Sequence, residues 1–338
     1  MATIYDVAQK SNVSIATVSK VINNKGGVGE KTRKRVLEAM AELDYHPNLA
    51  ASVLMGKNTK TIGLLIPDLA NPYFSEIAKS IEDRAHNYGY NIIICSTEYI
   101  YQKERKYISL LKQKNVDGFI FVSGFENSEQ ISKLLEEKFP LIAVTRDFPM
   151  LTINSVGVDN YRGGYQAGHH FIQNGHENIL IIGYDVWSNR ERIRGFKDAL
   201  SDSGREYNLH SHIMDQIEGD HYENGYTGIQ QGMEKDMNIT AVFAGNDLLA
   251  VGAVRGLKEL SLSVPEDVSI IGFDNSKITR VIDPPLTTIA QPIQELGEKV
   301  MDMIIENIQN KDMRKRKEVL LPELVVRESV FDRTIENK

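Results

Sequence analysis

The chain has 338 residues, 41% of them hydrophobic and 25% charged, the make-up of a globular protein with room for two or three compact units and not of a disordered or fibrous one. No apolar run approaches the roughly 20 residues that span a bilayer, the N-terminus has neither an h-region nor a cleavage site, and Cys95 is the only cysteine, so an internal disulfide is excluded and a Cys-based metal site disfavoured. A cytoplasmic protein with no membrane partner and no cofactor is expected. The net charge of −7 is uneven: residues 1–60 hold nine Lys/Arg against five Asp/Glu, a balance of +4, which leaves −11 for the remainder. A basic head on an acidic body suits a phosphate-bearing partner for the head alone.

Residues 3–22 read as two short helices. Thr3 can N-cap the first, with Asp6 as reciprocal partner, and Ser14 can N-cap the second, with Thr17 in the same relation. Ile4, Val7 and Ala8 share one face, as do Val18, Val21 and Ile22 on the second helix. The short link Lys10-Ser11-Asn12-Val13 makes the helices cross steeply with Val13 beneath the turn. That is a helix-turn-helix, whose second helix enters a DNA major groove. An ordinary helical hairpin is the bland alternative.

After a loop at Asn23–Gly27, Gly29 or Glu30 opens a third helix to about Asp44, with Val36, Leu37, Met40 and Leu43 inward. Lys31, Arg33, Lys34 and Arg35 cluster at its start, as a solvated face or as phosphate contacts. Pro47 ends that helix, and Asn48 can cap another that Gly56 stops. At about eight residues it falls below the ~12–15 that an isolated helix needs, so it forms only when something holds it.

From residue 61 strand and helix alternate. Ile62–Ile66, Asn91–Cys95, Gly118–Val122 and Leu141–Val144 read as buried parallel strands, with helices such as Phe74–Tyr88 and Gln102–Gln113 between them. A second series has strands Ile179–Ile182, Ala241–Ala244 and Val268–Ile271 and helices near Tyr161–Asn174, Arg190–Ser201, Gly225–Glu234 and Asp247–Leu260. The expected fold is an all-α head followed by two open, doubly wound α/β lobes. Ligands of such sheets sit beyond the C-terminal ends of the strands, which makes Asp68, Asn71, Tyr73, Phe74, Asn246 and Asp274 candidates. Asp247 reads as the N-cap of the helix that follows it.

The motifs Ile4-Tyr5-Asp6-Val7-Ala8, Val13-Ser14-Ile15-Ala16-Thr17-Val18-Ser19, Leu43-Asp44-Tyr45-His46-Pro47-Asn48, Asn71-Pro72-Tyr73-Phe74, Gly245-Asn246-Asp247, Gly272-Phe273-Asp274 and Pro285-Leu286-Thr287-Thr288 together resemble the lactose-repressor (LacI/GalR) family over nearly the whole chain. The stretch Ile94–Glu98 is also similar to the degradation-activator type of regulator. The resemblance implies a homodimer on a pseudo-palindromic operator in double-stranded DNA. It places Ile15, Ala16 and Lys20 at base-reading positions, Lys20 standing where most members carry Arg. It gives Thr3, Tyr5, Ser14, Thr17, Ser19, Asn23 and Thr32 to the DNA contact, and Asn48, Ala51 and Leu54 to a hinge whose leucine wedges the minor groove. Ser52 replaces the family's hinge Arg.

A body like that of periplasmic sugar-binding proteins is also implied. Its divisions would be a head at 1–46, a hinge at 47–60, one lobe from 61–158 and 290–318, and the other from 159–289 and 319–332. Arg192 aligns with the family's effector-contacting arginine. Facing Asp274, it would suit a sugar-like small-molecule effector, with Tyr73, Phe74, and His221 or Tyr222 as a stacking face. Thr145 stands where many members have an acid, a gap that Asp147 could fill. The mostly apolar and acidic helix after Pro292 disfavours a phosphoprotein corepressor, and the absence of a C-terminal leucine heptad disfavours a tetramer. Two other classes compete. An extracytoplasmic sugar-binding protein is opposed by the basic head. An enzyme is opposed by the lack of any nucleophile-elbow, P-loop or dinucleotide glycine pattern: Gly163-Gly164 lacks the remaining spacing, and His169-His170 point to different sides of a helix.

Overall fold

The computed structural model describes residues 2–22, 26–45, 58–123, 128–145, 151–215, 219–236, 238–310 and 315–334, in two compact units, Met1–Thr59 and Lys60–Lys338. In the first unit, α1 (Ile4–Lys10), α2 (Ile15–Ile22) and α3 (Glu30–Glu42) enclose a core of Val7, Ala8, Val18, Val21, Val36 and Ala39. Thr3 Oγ1 and the Asp6 carboxylate form the reciprocal capping box, and Thr17 N–H donates to Ser14 Oγ at 3.2 Å. The turn uses Asn12 at φ 51, with Ser11 buried and its hydroxyl donating to Val7 O. Val13 packs against this core, as the short link requires. Leu37 is a correction, since it lies 48% exposed and Ala39 is buried in its place. From Val36 the helical stripe runs to 39, 40 and 43, and Leu37 is a full 100° off that line. A Lys10–Glu42 ion pair at 2.6 Å joins α1 to α3.

The second unit holds two six-stranded sheets. One is built from β1 (Thr61–Ile66), β2 (Asn91–Ser96), β3 (Gly118–Val122), β4 (Leu141–Val144), β5 (Asn154–Val158) and β11 (Lys317–Leu320), all parallel, in the order β11-β5-β4-β3-β1-β2. The other has the order β12-β10-β9-β8-β6-β7, from β6 (Asn178–Tyr184), β7 (Asn208–Met214), β8 (Ala241–Ala244), β9 (Ser269–Asp274), β10 (Thr287–Ala290) and β12 (Glu323–Val325). Among the described residues only the β10–β12 pair is antiparallel. In β1, Ile62, Leu64 and Ile66 pack beneath α4 (Pro72–Asn87) and α11 (Ile293–Gln309). Leu65 faces the opposite side, toward α5 (Tyr101–Gln113) and α6 (Ser128–Glu136). The second sheet is covered by α7 (Asn160–Gln173) and α8 (Trp187–Asp202) on one face, and by α9 (His221–Lys235) and α10 (Asp247–Glu259) on the other.

Two pairs of helices touch through backbone. An added Cβ on Gly164 would lie 1.8 Å from Arg192 O, and one on Gly252 would lie 1.9 Å from Tyr222 O. Among the described residues the chain changes sheet three times: from β5 to α7, from β10 to α11, and from β11 to β12. Strand β7 carries too mixed a pattern to be read from its residues, since it is an edge strand in which no residue is fully buried. Among the described residues no helix is long and apolar enough to cross a membrane.

Candidate functional site

On the head, α2 leaves Ile15, Ala16 and Lys20 on its outer surface, with Ile15 39% exposed, and Tyr5 on α1 is 67% exposed. An isoleucine and a tyrosine left in water when the core has used every other large apolar residue of these two helices is a surface awaiting a partner. Ser14 is exposed as well, while Thr17, Ser19 and Thr32 are half-buried. Thr3 is exposed, but its hydroxyl is engaged by Asp6 at 2.8 Å, so its first task is the helix cap. Asn23, Asn48, Ala51 and Leu54 lie outside the described residues.

In the larger unit a cavity of about 610 Å³ opens between the two sheets, beyond the C-terminal ends of β1, β6, β8 and β9. Asn71, Tyr73, Phe74, Arg192, His221, Asn246 and Asp274 all line it. Tyr222 does not; its N–H is the one that the α9 cap takes, donating to Asp220 Oδ1 at 2.8 Å. Asp68 is also off the wall, its Oδ1 holding the Ala70 N–H at 2.8 Å, although its charge reaches His221 and Tyr99. Thr145 is buried on the lining at φ 57, and Asp147 lies outside the described residues.

Two of the asparagines are caps as well as lining. Asn71 Oδ1 accepts from Tyr73 N–H at 3.0 Å at the start of α4. Asn246, not Asp247, caps α10, accepting from Leu249 N–H at 2.8 Å. This corrects the expected role of Asp247. Its Oδ2 accepts from the Ser276 N–H and hydroxyl at 2.7 and 2.8 Å, and its Oδ1 from Thr288 Oγ1 at 2.6 Å. Asp247 therefore clamps the turn just after Asp274, a non-glycine residue at φ 122, a conformation that needs such restraint. Burial pushes the Asp247 carboxyl up to about 6.

Arg192 lies on α8 with 7% exposure. Its guanidinium sits over the Phe273 ring at 3.6 Å, and donates from Nε to Asn160 Oδ1 at 2.8 Å and from Nη1 to Gly245 O at 2.5 Å. Asp274 Oδ1 faces it at 3.8 Å but accepts its hydrogen bond from Gln291 Nε2 at 2.6 Å. Gln291 Oε1 in turn accepts from the Tyr73 hydroxyl at 3.0 Å. Tyr73 belongs to one lobe, Asp274 to the other, and Gln291 to the crossing between them, so three side chains tie the lobes at the floor of the cavity. Burial pushes the Asp274 carboxyl up to about 8 against the pull of Arg192, and it raises the Tyr73 phenol well above its usual range.

Tyr99, Trp187 and Arg190 also line the cavity, and the sequence reading does not mark them. Tyr99 enters from a turn in which Glu98 and Tyr99 both have positive φ, 53 and 57. Trp187 opens α8 at 37% exposure, and Arg190 pairs with Asp185 at 2.5 Å beside it. A tyrosine just past a strand end is the one signal that post-strand reasoning could have used for Tyr99. Gln291 carries no local signal at all. Among the described residues no group of three or more His, Cys, Asp or Glu side chains is placed to hold a metal.

Residues 3–48 match the family model described as bacterial regulatory proteins, lacI family, and residues 59–328 match that of periplasmic binding proteins and the sugar binding domain of the LacI family. The chain is 43% identical over 333 residues to the HTH-type transcriptional regulator DegA of Bacillus subtilis strain 168, covering 97% of each chain. It is similar to the Lac repressor dimer bound to operator and the anti-inducer ONPF, with TM-score 0.84 and 27% identity over 98% of this chain and 99% of that one. It is also similar to a LacI family transcriptional regulator from Enterococcus faecium with bound ribose, with TM-score 0.72 and 33% identity over 80% of this chain and 99% of that one.

Proposed function

The chain belongs to the lacI family of bacterial regulatory proteins, and from that premise we propose that it is a repressor that reads a pseudo-palindromic operator as a homodimer and answers to a small sugar-like metabolite held between its lobes. Supporting the DNA half are the outward Ile15, Ala16 and Lys20 on a helix whose other face is core. Ile15 suits a thymine methyl, and Lys20 suits guanine O6 and N7. Supporting the dimer is the solved Lac repressor complex with operator, which is described as a dimer.

The observation that carries the regulatory half is the Tyr73–Gln291–Asp274 link across the cavity floor. A ligand seated there meets atoms of both lobes at a chain crossing. Any difference in its affinity for two lobe arrangements shifts their populations by that amount. Leu54 lies outside the described residues; on its sequence alone a helix of about eight residues there would need tertiary support, and we propose it as the element such a shift forms or melts.

The test selects an operator from random duplexes with the full chain, then measures its affinity by fluorescence anisotropy with and without each ligand found in a thermal-shift screen of sugars and their derivatives. Two chains should bind per site, and one ligand should change the affinity about tenfold or more. Ligands that stabilise the protein yet leave operator affinity unmoved would remove the regulatory half, and failure to select any sequence would remove the DNA half.

A further inference from the structure

Two hydrogen-bond donors on the second lobe are braced by one dipeptide. Gly245 O accepts from Arg192 Nη1, and the next residue, Asn246, donates from Nδ2 to His221 Nδ1 at 3.1 Å. The Asn246 amide is oriented independently, because its Oδ1 already takes the Leu249 N–H. His221 Nδ1 is therefore an acceptor, and the ring proton resides on Nε2. That Nε2 is buried with no hydrogen-bond partner, in a side chain that lines the cavity at 4% exposure. A buried donor left unmet costs about 1–3 kcal/mol, so it calls for an acceptor from the ligand.

Arg192 is in a comparable condition. Its two placed hydrogen bonds go to a side-chain amide and a peptide carbonyl, both neutral, and its nearest carboxylate stands 3.8 Å off with the facing oxygen taken by Gln291. Arg192 and His221 come from different helices, α8 and α9, and both line the same cavity.

We infer that Arg192 and His221 form a carboxylate subsite, and that the effector is a sugar acid and not the neutral sugar. This rests on the effector reading above and narrows it. A carboxylate has two oxygens with about four acceptor positions and no proton to place, which matches a cation and an N–H donor. A hydroxymethyl group in the same spot would bring a proton of its own. The acceptor at hand for it is Asp274, whose Oδ1 already takes the Gln291 Nε2 hydrogen bond at 2.6 Å. Of the acids on the lining, Asp185 is held by Arg190 and Glu98 by Lys103, leaving exposed Asp215 in water; the two whose charge reaches His221, half-buried Asp68 and exposed Asp220, each accept a backbone N–H, from Ala70 and Tyr222. Trp187 and Tyr99 supply apolar faces for a sugar ring.

The experiment titrates the full chain by calorimetry with matched pairs that differ only at one carbon, glucose with glucuronate and galactose with galacturonate, and adds glucuronamide as the uncharged isostere. At least one acid should bind about tenfold or more tighter than its neutral partner and its amide. Arg192 is buried, so Arg192→Gln risks the fold. His221→Phe keeps a ring in place and removes only the donor, and it should bring the acid-to-neutral ratio close to one. A merely structural lesion would lower both affinities and preserve the ratio. A neutral sugar binding as tightly as its acid, or an acid preference intact in His221→Phe, would overturn the subsite while leaving the sugar-effector reading standing. If no acid, sugar or amide in the panel binds, the subsite falls, and the effector reading falls with it.

Discussion

Gly164→Ala separates a tight backbone crossing from an ordinary helical glycine by the sign of its effect. Gly164 sits inside α7, where alanine in place of glycine would by itself stabilise a helix by about 1 kcal/mol. Here the added Cβ would stand 1.8 Å from Arg192 O, 2.6 Å from its carbonyl carbon and 2.9 Å from its Cα. A carbon and a carbonyl oxygen meet no closer than about 3.3 Å, so α7 and α8 would have to part by more than roughly 1 Å. The obstructing atoms are backbone and cannot rotate away. Overpacking typically costs about 1–3 kcal/mol; against backbone atoms the upper end applies, and with the helical gain of about 1 kcal/mol subtracted a net loss of about 2 kcal/mol is expected.

Urea unfolding of the full chain followed by tryptophan fluorescence reads this directly, because Trp187 is the only tryptophan and is the first residue of α8. Gly157→Ala is the control: nothing lies within 4 Å of its added Cβ, and its effect should stay within about 0.5 kcal/mol. The carbonyl displaced is that of Arg192 itself, so whatever Gly164→Ala protein folds should also bind its ligand more weakly. A Gly164→Ala chain as stable as the original, or more stable, would refute the backbone contact and with it the account of how Arg192 is held.

Three further outcomes are expected. Gln291→Leu strands the Tyr73 hydroxyl and the Asp274 carboxyl together, and should lower unfolding free energy by about 2 kcal/mol and move the ligand affinity; unchanged values in both would show that the link carries no energy. His176 is held neutral, its titration lowered from 6.5 to about 4 by burial and then by Arg333, with Nε2 against Phe331 O at 3.1 Å. Its folded value is below its unfolded one, so its contribution is full above pH 6.5 and is lost as pH falls through about 4, at most about 3 kcal/mol. A His176→Gln chain should therefore show a shallower loss of stability over that window, and a parallel pH profile would contradict it. Lys20→Ala should relax base preference at one or two positions of each half-site by about 1–3 kcal/mol, read by competition between selected and mutated duplexes; a uniform loss over all sequences would assign Lys20 to phosphate.

Whatever depends on neighbours within one turn or one strand was decided by the residues alone. The Thr3–Asp6 box, the apolar stripes of α1 and α2, and the runs Ile62–Ile66 and Gly118–Val122 are local patterns. They specify a helical head and buried parallel strands before any tertiary contact exists. The position of a candidate ligand residue at or past a strand end is legible for the same reason, as Asn71 and Tyr73 after β1 and Asp274 at the end of β9 illustrate.

The tertiary structure decided how adjacent polar residues divide their work. Asn246 and Asp247 look interchangeable as caps, and only the approach of Ser276 and Thr288 from 29 and 41 residues away turns Asp247 inward as a clamp. Tyr73 and Gln291 lie 218 residues apart, and nothing local to either marks the link they make. The direction of a hydrogen bond across a cavity depends on which chain segments the fold brings within 3 Å, and a one-dimensional pattern holds no record of that distance.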